Sequence, residues 1–378
     1  MKVFLQSIFG QLILIPYIFW RGYQALPAKR GWRIPYILFF VIEILLFLTG
    51  FFFHKILPDK VFIFIMYCCN TWYIASIYIT ISLVALDLLR LTNRIRPWFP
   101  KHFIKHWQQI KLSLFFVILL GVTGLMAKGY HTVTNPIVKH IHITIPKGAG
   151  DRDSLTIVMM SDLHIGEIIG KKMVQKYVEM SNAQHPDMVV LVGDIMDHES
   201  RFAEKDSVEK DLQQLKAPLG TYIVYGNHEY RANRFAKQRW LRKTGGILLV
   251  DSVVMPDSTF YLIGRDDFIN KKRNTLQSVM KGVDKSKPII VLDHQPWSFA
   301  EMNMNGVDLG LHGHTHNGQL WPYPLLLKFV YENPYGYSKK GPTQFYVSSG
   351  IGVAGPPYRI GTVSELIVLH ITFKNDKR

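Results

Sequence analysis

The pattern of hydrophobic and polar positions divides the chain near residue 130. Before that point, apolar stretches at about residues 3–20, 34–53, 61–89 and 110–127 are separated by short polar connections. Each stretch reaches or approaches the roughly 17–25 residues that a helix needs to cross a bilayer. Residues 1–131 are therefore predicted to form an α-helical membrane domain with four transmembrane helices.

After about residue 132, short apolar runs alternate with segments of helical length. The runs predict strands at residues 140–145, 155–161, 188–192, 222–225, 247–251, 260–264, 288–292, 306–311, 344–348 and 364–371. Helices are predicted at about residues 171–184, 201–215, 232–243 and 274–281. This alternation is typical of a layered α/β fold. Because some later strands have no helix between them, a second, more mixed sheet is expected in the domain formed by residues 132–378.

The basic residues between the apolar stretches predict the orientation of the membrane domain. The first and third connections carry most of them: Arg21, Lys29, Arg30 and Arg33, then Arg90, Arg94, Arg96, Lys101, Lys105 and Lys111. The positive-inside rule assigns both connections to the cytoplasm. With four spans, the N-terminus and the whole C-terminal domain then lie on the extracytoplasmic side. A cleaved signal peptide at residues 1–20 is the alternative, and it would require export of the basic first connection.

The net charge of +16 does not indicate nucleic-acid binding. Residues 1–131 hold 14 Lys and Arg against 3 Asp and Glu, whereas the remainder holds 30 against 25. The excess therefore lies mostly in short loops between apolar segments, and there is no separate basic arm. Both cysteines, Cys68 and Cys69, lie in an apolar stretch. The C-terminal domain needs no disulfide, and its compartment cannot be inferred from redox chemistry.

Five short segments of the C-terminal domain contain side chains that bind metals, and each follows a predicted strand or apolar run. They are Asp162-Leu163-His164, Gly193-Asp194, Gly226-Asn227-His228-Glu229, Asp293-His294 and Gly313-His314-Thr315-His316. Two divalent cations need about seven or eight oxygen and imidazole ligands that converge from separate loops. The mixture of carboxylate and imidazole suits Mn, Fe, Zn or Ni better than Ca, and Mn is favoured.

Individual residues in these segments suggest individual roles. Gly193 allows a sharp turn that brings the Asp194 carboxylate inward, where it can bridge two cations. His228 lies beside a candidate ligand and is positioned to act as a general acid toward the leaving oxygen. Glu229 is expected to orient the imidazole of His228.

The order D-x-H, G-D, G-N-H-E, H and G-H-x-H resembles the calcineurin-like metallophosphoesterase superfamily over about residues 155–350. The resemblance implies a four-layer α/β/β/α sandwich. It also implies a first metal bound by Asp162, His164, Asp194 and His316, and a second bound by Asp194, Asn227, His294 and His314. His228 would be the catalytic histidine. No ligand position is substituted in this chain.

Finer features are similar to the membrane-associated YkuE/YaeI-type branch and to transmembrane proteins with a metallophosphoesterase domain. They include Gly313–Gln319, the segment Tyr346–Gly352 and the four apolar stretches. Asn317 occupies a position where that branch more often has glycine, which concerns the flexibility of this loop rather than metal binding.

Several other polar residues allow a structural explanation as well as a functional one. Asp197 and His198 are expected to support the ligands or cap a helix. Arg359 contacts a substrate phosphate, forms a salt bridge or is simply exposed. In the apolar stretches, Glu43 and Asn70 are expected to hydrogen-bond neighbouring helices. The remaining candidates, expected at the surface or in structural roles, are His140, His142 and His185.

The segment at residues 320–337 follows the last candidate ligands and is rich in aromatic and aliphatic side chains. Such a segment either packs on the rest of the protein or enters the bilayer interface, where aromatic rings are favoured. In the second case it would let a lipid-borne phosphoester reach the metals.

These observations predict a membrane-bound phosphohydrolase with two metals. Hydrolysis of a phosphodiester or pyrophosphate by a metal-bridging hydroxide is favoured, with a cell-envelope or lipid-linked substrate inferred from the predicted location. The alternatives are a phosphomonoesterase acting on phosphoproteins or nucleotides, and a metal-binding membrane sensor or transporter without turnover. The expected partners are the lipid bilayer and the phosphoester, and no nucleic acid.

Overall fold

The computed structural model describes residues 2–197 and 199–374. It divides into two compact units, which are treated separately below. Residues Met1–Tyr130 and Gly355–Pro357 form the helical unit, and residues His131–Ala354 and Tyr358–Arg378 form the C-terminal unit.

The helical unit consists of helices that coincide with the apolar stretches. They are α1 (Lys2–Ala25), α2 (Arg30–Phe53), α3 (Asp59–Ile95), the short α4 (Lys101–Lys105) and α5 (Trp107–Thr134). Among the described residues, α2, α3 and α5 are long and apolar enough to cross a membrane. The first predicted span falls within α1, and its crossing of the membrane stays a prediction.

Polar side chains make few contacts within the apolar part of this unit. Asp87 pairs with Arg21 at 2.7 Å and with Arg90 at 3.4 Å, and it accepts a hydrogen bond from the Tyr17 hydroxyl. The prediction that Glu43 hydrogen-bonds a neighbouring helix is wrong, because neither of its buried carboxyl oxygens has a partner among the described residues. The side-chain nitrogen of Asn70 is likewise buried without a partner there.

The described part of the C-terminal unit contains two six-stranded sheets. The first has the order β1-β12-β2-β3-β4-β5, with strands β1 (Ile137–Ile145), β2 (Ser154–Met160), β3 (Met188–Val192), β4 (Thr221–Val224), β5 (Ile247–Leu248) and β12 (Glu365–Phe373). Its pairs are parallel except for β12 against β2, where Ile367 lies opposite Met159.

The second sheet has the order β10-β11-β9-β8-β7-β6. Its strands are β6 (Ser252–Val254), β7 (Tyr261–Gly264), β8 (Ile289–Leu292), β9 (Leu309–His312), β10 (Gly336–Lys340) and β11 (Thr343–Val347). The four central strands are parallel, and the two edge strands, β6 and β10, are antiparallel to their neighbours.

Three hydrophobic cores show how the layers stack. Alternate residues of both sheets, including Ile157, Val190 and Leu309, share one core and therefore face each other. A second core joins the other face of the first sheet to α6 (Lys171–Asn182), α8 (Val208–Leu212) and α9 (Arg234–Leu241). A third joins the second sheet to α10 (Leu276–Val279) and α11 (Phe299–Asn305). The predicted α/β/β/α sandwich is confirmed.

The elements differ from the predicted ones in a few places. The single helix predicted over residues 201–215 is interrupted: α7 (Arg201–Lys205) ends before Ser207, which has a positive φ of 51° and separates it from α8. A left-handed residue cannot continue a right-handed helix. Strands β6 and β10, and helices α11 and α12 (Tyr323–Leu327), were not predicted, because segments this short carry little periodicity.

Candidate metal centre

The five predicted segments lie together because of the sheet topology. Each begins directly after a strand: β2, β3 and β4 are neighbours in the first sheet, and β8 and β9 are neighbours in the second. All these neighbouring pairs are parallel. The carboxyl ends of parallel strands meet at one edge, which is where α/β folds place ligands. The facing sheets therefore bring loops that are distant in sequence into one site.

The backbone at this edge turns sharply. Five candidate ligands have a positive φ between 49° and 73°: Asp162, His164, Asp194, His314 and His316. Non-glycine residues rarely adopt this conformation, and they concentrate at functional sites. The predicted turn at Gly193 is present with a φ of 76°, and a Cβ there would lie 2.5 Å from Nδ1 of His294. Glycine is thus required at this position for two independent reasons.

The candidate ligand atoms form two groups that meet at Asp194. In the first, Nε2 of His316 lies 3.4 Å from Oδ1 of Asp162 and 3.0 Å from Nε2 of His164. In the second, Asp194, His294 and His314 bring their ligand atoms within 4.8 Å of one another. Oδ2 of Asp194 is 3.2 Å from Nε2 of His294 and 3.8 Å from Nε2 of His164. This carboxylate therefore joins the two groups, which also approach each other where Oδ1 of Asp162 lies 3.9 Å from Nε2 of His294.

Two orphaned polar atoms indicate that this donor set fits cations. Oδ1 of Asn227 and Nε2 of His294 are buried and have no hydrogen-bond partner among the described residues. Nδ1 of His294 lies 2.8 Å from the carbonyl oxygen of Val192 and donates to it. Nε2 then carries a lone pair in the neutral ring, as in many metal-ligating histidines. An unpaired buried polar group is costly, and a bound cation removes that cost.

The electrostatics of the site place a charged and a neutral imidazole beside an ionised carboxylate. Burial would lower the pKa of His294, but the charge of Asp194 outweighs it and raises the pKa well above its usual value. Burial and, to a smaller extent, the nearby His294 together lower the pKa of His314 to about 3. Burial alone would raise the pKa of Asp194, but His294 and His228 outweigh it and hold the pKa well below its usual value. Metal ions bind neutral imidazole and carboxylate, so a bound cation would displace the proton of His294.

His228 lies at the border of these groups and is held from both sides. Its Nδ1 is 2.9 Å from Oδ1 of Asp197, and its Nε2 is 2.5 Å from a guanidinium nitrogen of Arg231. Asp197 also lies 3.5 Å from Nδ1 of His164. Burial lowers the pKa of His228, which makes the ring neutral near pH 7. The carboxylate of Asp197 would stabilise the ring whenever it carries a proton on both nitrogens.

The predicted role of Glu229 is wrong. Its carboxylate does not contact the imidazole of His228 but accepts three backbone N–H groups, from Gly226 at 2.7 Å, Asp194 at 2.9 Å and Met196 at 3.1 Å. Glu229 therefore ties the loop after β3 to the loop after β4. Asp197, which was expected only to support ligands or cap a helix, is the residue that orients His228.

Arg359 is neither exposed nor available to a substrate phosphate. Only 1% of its surface is accessible. Its guanidinium donates to the backbone oxygens of His316, Ser349 and Gly352 at 3.1, 2.5 and 2.9 Å. All three earlier explanations of this residue were wrong: it binds carbonyl groups and fixes the loop that carries His316.

The other residues singled out in the sequence lie as follows. His140 and His142 are on the exposed face of β1, and His185 is exposed after α6. Asn317 takes a left-handed conformation with φ of 48°, which asparagine tolerates better than most residues. His198 lies outside the described residues. Arg231 was missed, and its only signal was its position three residues after His228.

The segment at residues 320–337 exposes a large apolar surface. In and after α12, Leu326 is 54% exposed and Phe329 is 88% exposed. The ring of Tyr331 packs against Trp297 with centroids 4.3 Å apart, and it lies 6.4 Å from the ring of His314. The apolar surface is therefore connected to a candidate metal ligand through one aromatic ring.

Comparison with known proteins gives the same family as the candidate ligands of this site. A family model described as calcineurin-like phosphoesterase matches residues 155–318. An uncharacterised metallophosphoesterase of Helicobacter pylori is 29% identical over 93% of this chain and 93% of its own length. An uncharacterised metallophosphoesterase of Campylobacter jejuni is 31% identical over 68% of this chain and 69% of its own.

A protein of Danio rerio, named transmembrane protein with metallophosphoesterase domain, is 28% identical over 91% of this chain and 82% of its own length. Together with the three apolar helices, this likeness indicates a membrane protein. These relatives, the family match and the clustered ligands all agree. The chain therefore belongs to the membrane-associated calcineurin-like metallophosphoesterases and is a metal-dependent phosphoester hydrolase.

Proposed function

We propose that this chain hydrolyses a phosphodiester or pyrophosphate, with two divalent metal ions held by the clustered loops and Mn favoured. Asp162, His164, Asp194 and His316 would bind the first ion, and Asp194, Asn227, His294 and His314 the second. The observation that carries the proposal is the pair of orphaned atoms, Oδ1 of Asn227 and Nε2 of His294, in a cluster joined by Asp194. Two such ions, when bound, polarise the phosphoryl oxygens and provide a nucleophile at neutral pH.

The remaining residues supply positioning and proton transfer. Arg231 is a cation at the edge of the site and can pair with a phosphoryl oxygen, releasing Nε2 of His228. The released Nε2 of the neutral ring would first take up a proton from the attacking water, and His228 would then donate this proton to the leaving oxygen. Asp197, whose Oδ1 lies 2.9 Å from Nδ1, keeps the ring oriented and stabilises its protonated form.

The proposed activity is tested by hydrolysis of bis-p-nitrophenyl phosphate by the purified chain, with and without Mn²⁺, beside the Asp194→Ala variant. We expect turnover that depends on the metal and is lost in the variant. Turnover of p-nitrophenyl phosphate in preference to the diester would favour a phosphomonoesterase. Protein that retains two metals per chain and hydrolyses neither these esters nor a pyrophosphate would refute the proposal and favour a sensor.

We further propose that the substrate is lipid-linked, because the exposed apolar surface in and on both sides of α12 leads to the metal centre. Trp321, Leu326 and Phe329 are 47%, 54% and 88% exposed, and isolated apolar surfaces of this kind mark interaction sites. Tyr331 connects this surface to His314. The acyl or polyprenyl part of a substrate would contact α12 while its phosphoester reaches the ligands.

Polar substitutions on α12 separate this substrate class from a soluble one. Trp321→Gln, Leu326→Gln and Phe329→Gln together should reduce turnover of a lipid pyrophosphate in vesicles and leave turnover of the chromogenic diester unchanged. Met304→Gln, which replaces a side chain 76% exposed on α11, serves as the matched control. An equal loss on both substrates would contradict the lipid assignment but not the phosphodiesterase activity.

We also propose that the metal centre lies on the extracytoplasmic side of the membrane. The positive-inside rule assigns the basic first and third connections to the cytoplasm, which leaves the C-terminal unit outside. Lys285→Cys in the C-terminal unit should react with a membrane-impermeant maleimide on intact cells, whereas Lys101→Cys in the third connection should not. The reverse pattern would move the metal centre to the cytoplasm and favour a nucleotide-linked lipid precursor as substrate.

A further inference from the structure

The helical unit contains a cavity of about 840 Å³. It lies between α1, α2, α3 and α5 and extends to the connection that holds α4. Aromatic and aliphatic side chains form most of its wall, among them Phe40, Trp72, Leu83, Leu114 and Phe115. Its volume is in the range of roughly 300–1,000 Å³ that is usual for ligand sites.

Three cations line one side of this cavity. They are Arg21 on α1, Arg90 on α3 and Lys111 on α5, and none of the described lining residues is acidic. Arg21 and Arg90 share a single carboxylate outside the lining, that of Asp87. The three positive charges therefore exceed the one neighbouring negative charge.

Contacts among the helices bring these cations together. The Arg90 guanidinium lies 5.2 Å from the centroid of the Trp107 ring, and Lys111 follows one turn later on α5. The Lys111 ammonium donates to the backbone oxygen of Gln24, close to Arg21 on α1, at 3.2 Å. A carbonyl oxygen carries no net charge, so Lys111 has no anionic partner in these contacts and can still bind one.

Membrane topology by itself does not explain this arrangement. The positive-inside rule accounts for basic residues in the third connection, but Arg94 and Arg96 of that connection are exposed and do not line the cavity. Arg21, Arg90 and Lys111 instead come from three different helices and converge on an apolar space. Such a combination of charge and apolar wall matches a molecule with an anionic head and a hydrocarbon tail.

We propose that this cavity binds one anionic phospholipid, with its phosphate at Arg21, Arg90 and Lys111 and its chains along the aromatic and aliphatic wall. The site lies wholly in the helical unit and does not depend on the reaction proposed for the C-terminal unit. A free phosphate would use the cations but leave the apolar wall without a partner.

The test is native mass spectrometry of the full chain in detergent, titrated with phosphatidic acid and with phosphatidylcholine of the same acyl chains. We expect one molecule of phosphatidic acid to bind per chain, with a Kd at least about tenfold lower than that of phosphatidylcholine. Lys111→Gln should raise the Kd of phosphatidic acid about fivefold, as the loss of roughly one charge contact implies. It leaves the Arg21–Asp87 pair in place, and Arg96→Gln is the matched control.

A second variant tests the apolar wall. Leu114→Trp fills part of the cavity and should reduce the amount of lipid bound per chain. It provides an independent test if the Lys111→Gln variant folds poorly. Equal binding of both lipids, or equal weakening by Arg96→Gln and Lys111→Gln, would overturn the proposal. So would full retention of lipid by a folded Leu114→Trp variant. If water-soluble glycerol 3-phosphate displaced phosphatidic acid at a similar concentration, only the phosphate would be recognised. That result would also overturn the proposal.

Discussion

Glu229 is predicted to be essential for the stability of the metal-binding edge. It is 1% exposed, and its two carboxylate oxygens accept backbone N–H groups from Gly226, Asp194 and Met196. Glu229→Gln keeps the shape of the side chain but replaces one acceptor oxygen by a donor. In the better amide orientation, the Gly226 and Asp194 bonds remain, and the new NH₂ group faces the Met196 N–H.

The cost follows from the bonds that are lost. Two buried donors, the NH₂ group and the Met196 N–H, would then lack acceptors. Each unpaired buried group costs roughly 1–3 kcal/mol, so the free energy of unfolding should fall by about 2–6 kcal/mol. For a domain of this size, the Tm of the C-terminal unit should fall by roughly 5–20 °C.

Thermal unfolding in the presence of a chelator measures this effect without a contribution from metals. Glu332→Gln is the matched control, because Glu332 is exposed and its carboxylate pairs with Lys340 at 3.0 Å. This exposed pair should contribute about 0–1 kcal/mol. If Glu229→Gln unfolds within about 1 °C of the Glu332→Gln variant, the bonds assigned to Glu229 do not hold the two loops together, and the argument fails.

Three further predictions concern activity and stability. Asp197→Asn keeps an acceptor for His228 but removes the charge, so kcat per metal-loaded protein should fall about tenfold with KM nearly unchanged; the metal content is measured in parallel because Asp197 also lies 3.5 Å from Nδ1 of His164, and an unchanged kcat would contradict the role of Asp197. Removing the metals should lower the Tm, because the carboxylates of Asp162 and Asp194 lose their counter-charges; calorimetry with and without Mn²⁺ checks this. Burial would raise the pKa of Asp257, but hydrogen bonds from Thr259 and from Arg152 lower it. The resulting stability is present above pH 4 or so and is lost as pH falls through the folded pKa; Asp257→Asn should therefore unfold earlier than the wild type at pH 7 but not at pH 2, as Tm measurements would show.

Local sequence was sufficient to predict most of the architecture. The apolar stretches coincide with α1, α2, α3 and α5 because helix length and hydropathy are properties of contiguous residues. The central strands were predicted because strands buried on both faces are short apolar runs, as in Met188–Val192. Edge strands such as β10 (Gly336–Lys340) have mixed polarity and depend on a partner strand, so they were missed.

The order and spacing of the motifs determined the candidate ligands and the family, because each ligand directly follows a strand whose position was evident. The partners of those ligands were decided only by tertiary structure. Glu229 is next to His228 in sequence, yet its carboxylate accepts a hydrogen bond from the loop after β3. The residue that contacts the His228 ring is Asp197, which lies in that same loop. Arg359 binds backbone carbonyls far from it along the chain. Likewise, only helix packing brings Arg21, Arg90 and Lys111 to one cavity. Residue types fix the chemistry that is available, whereas distances between side chains from separate elements depend on how the elements pack.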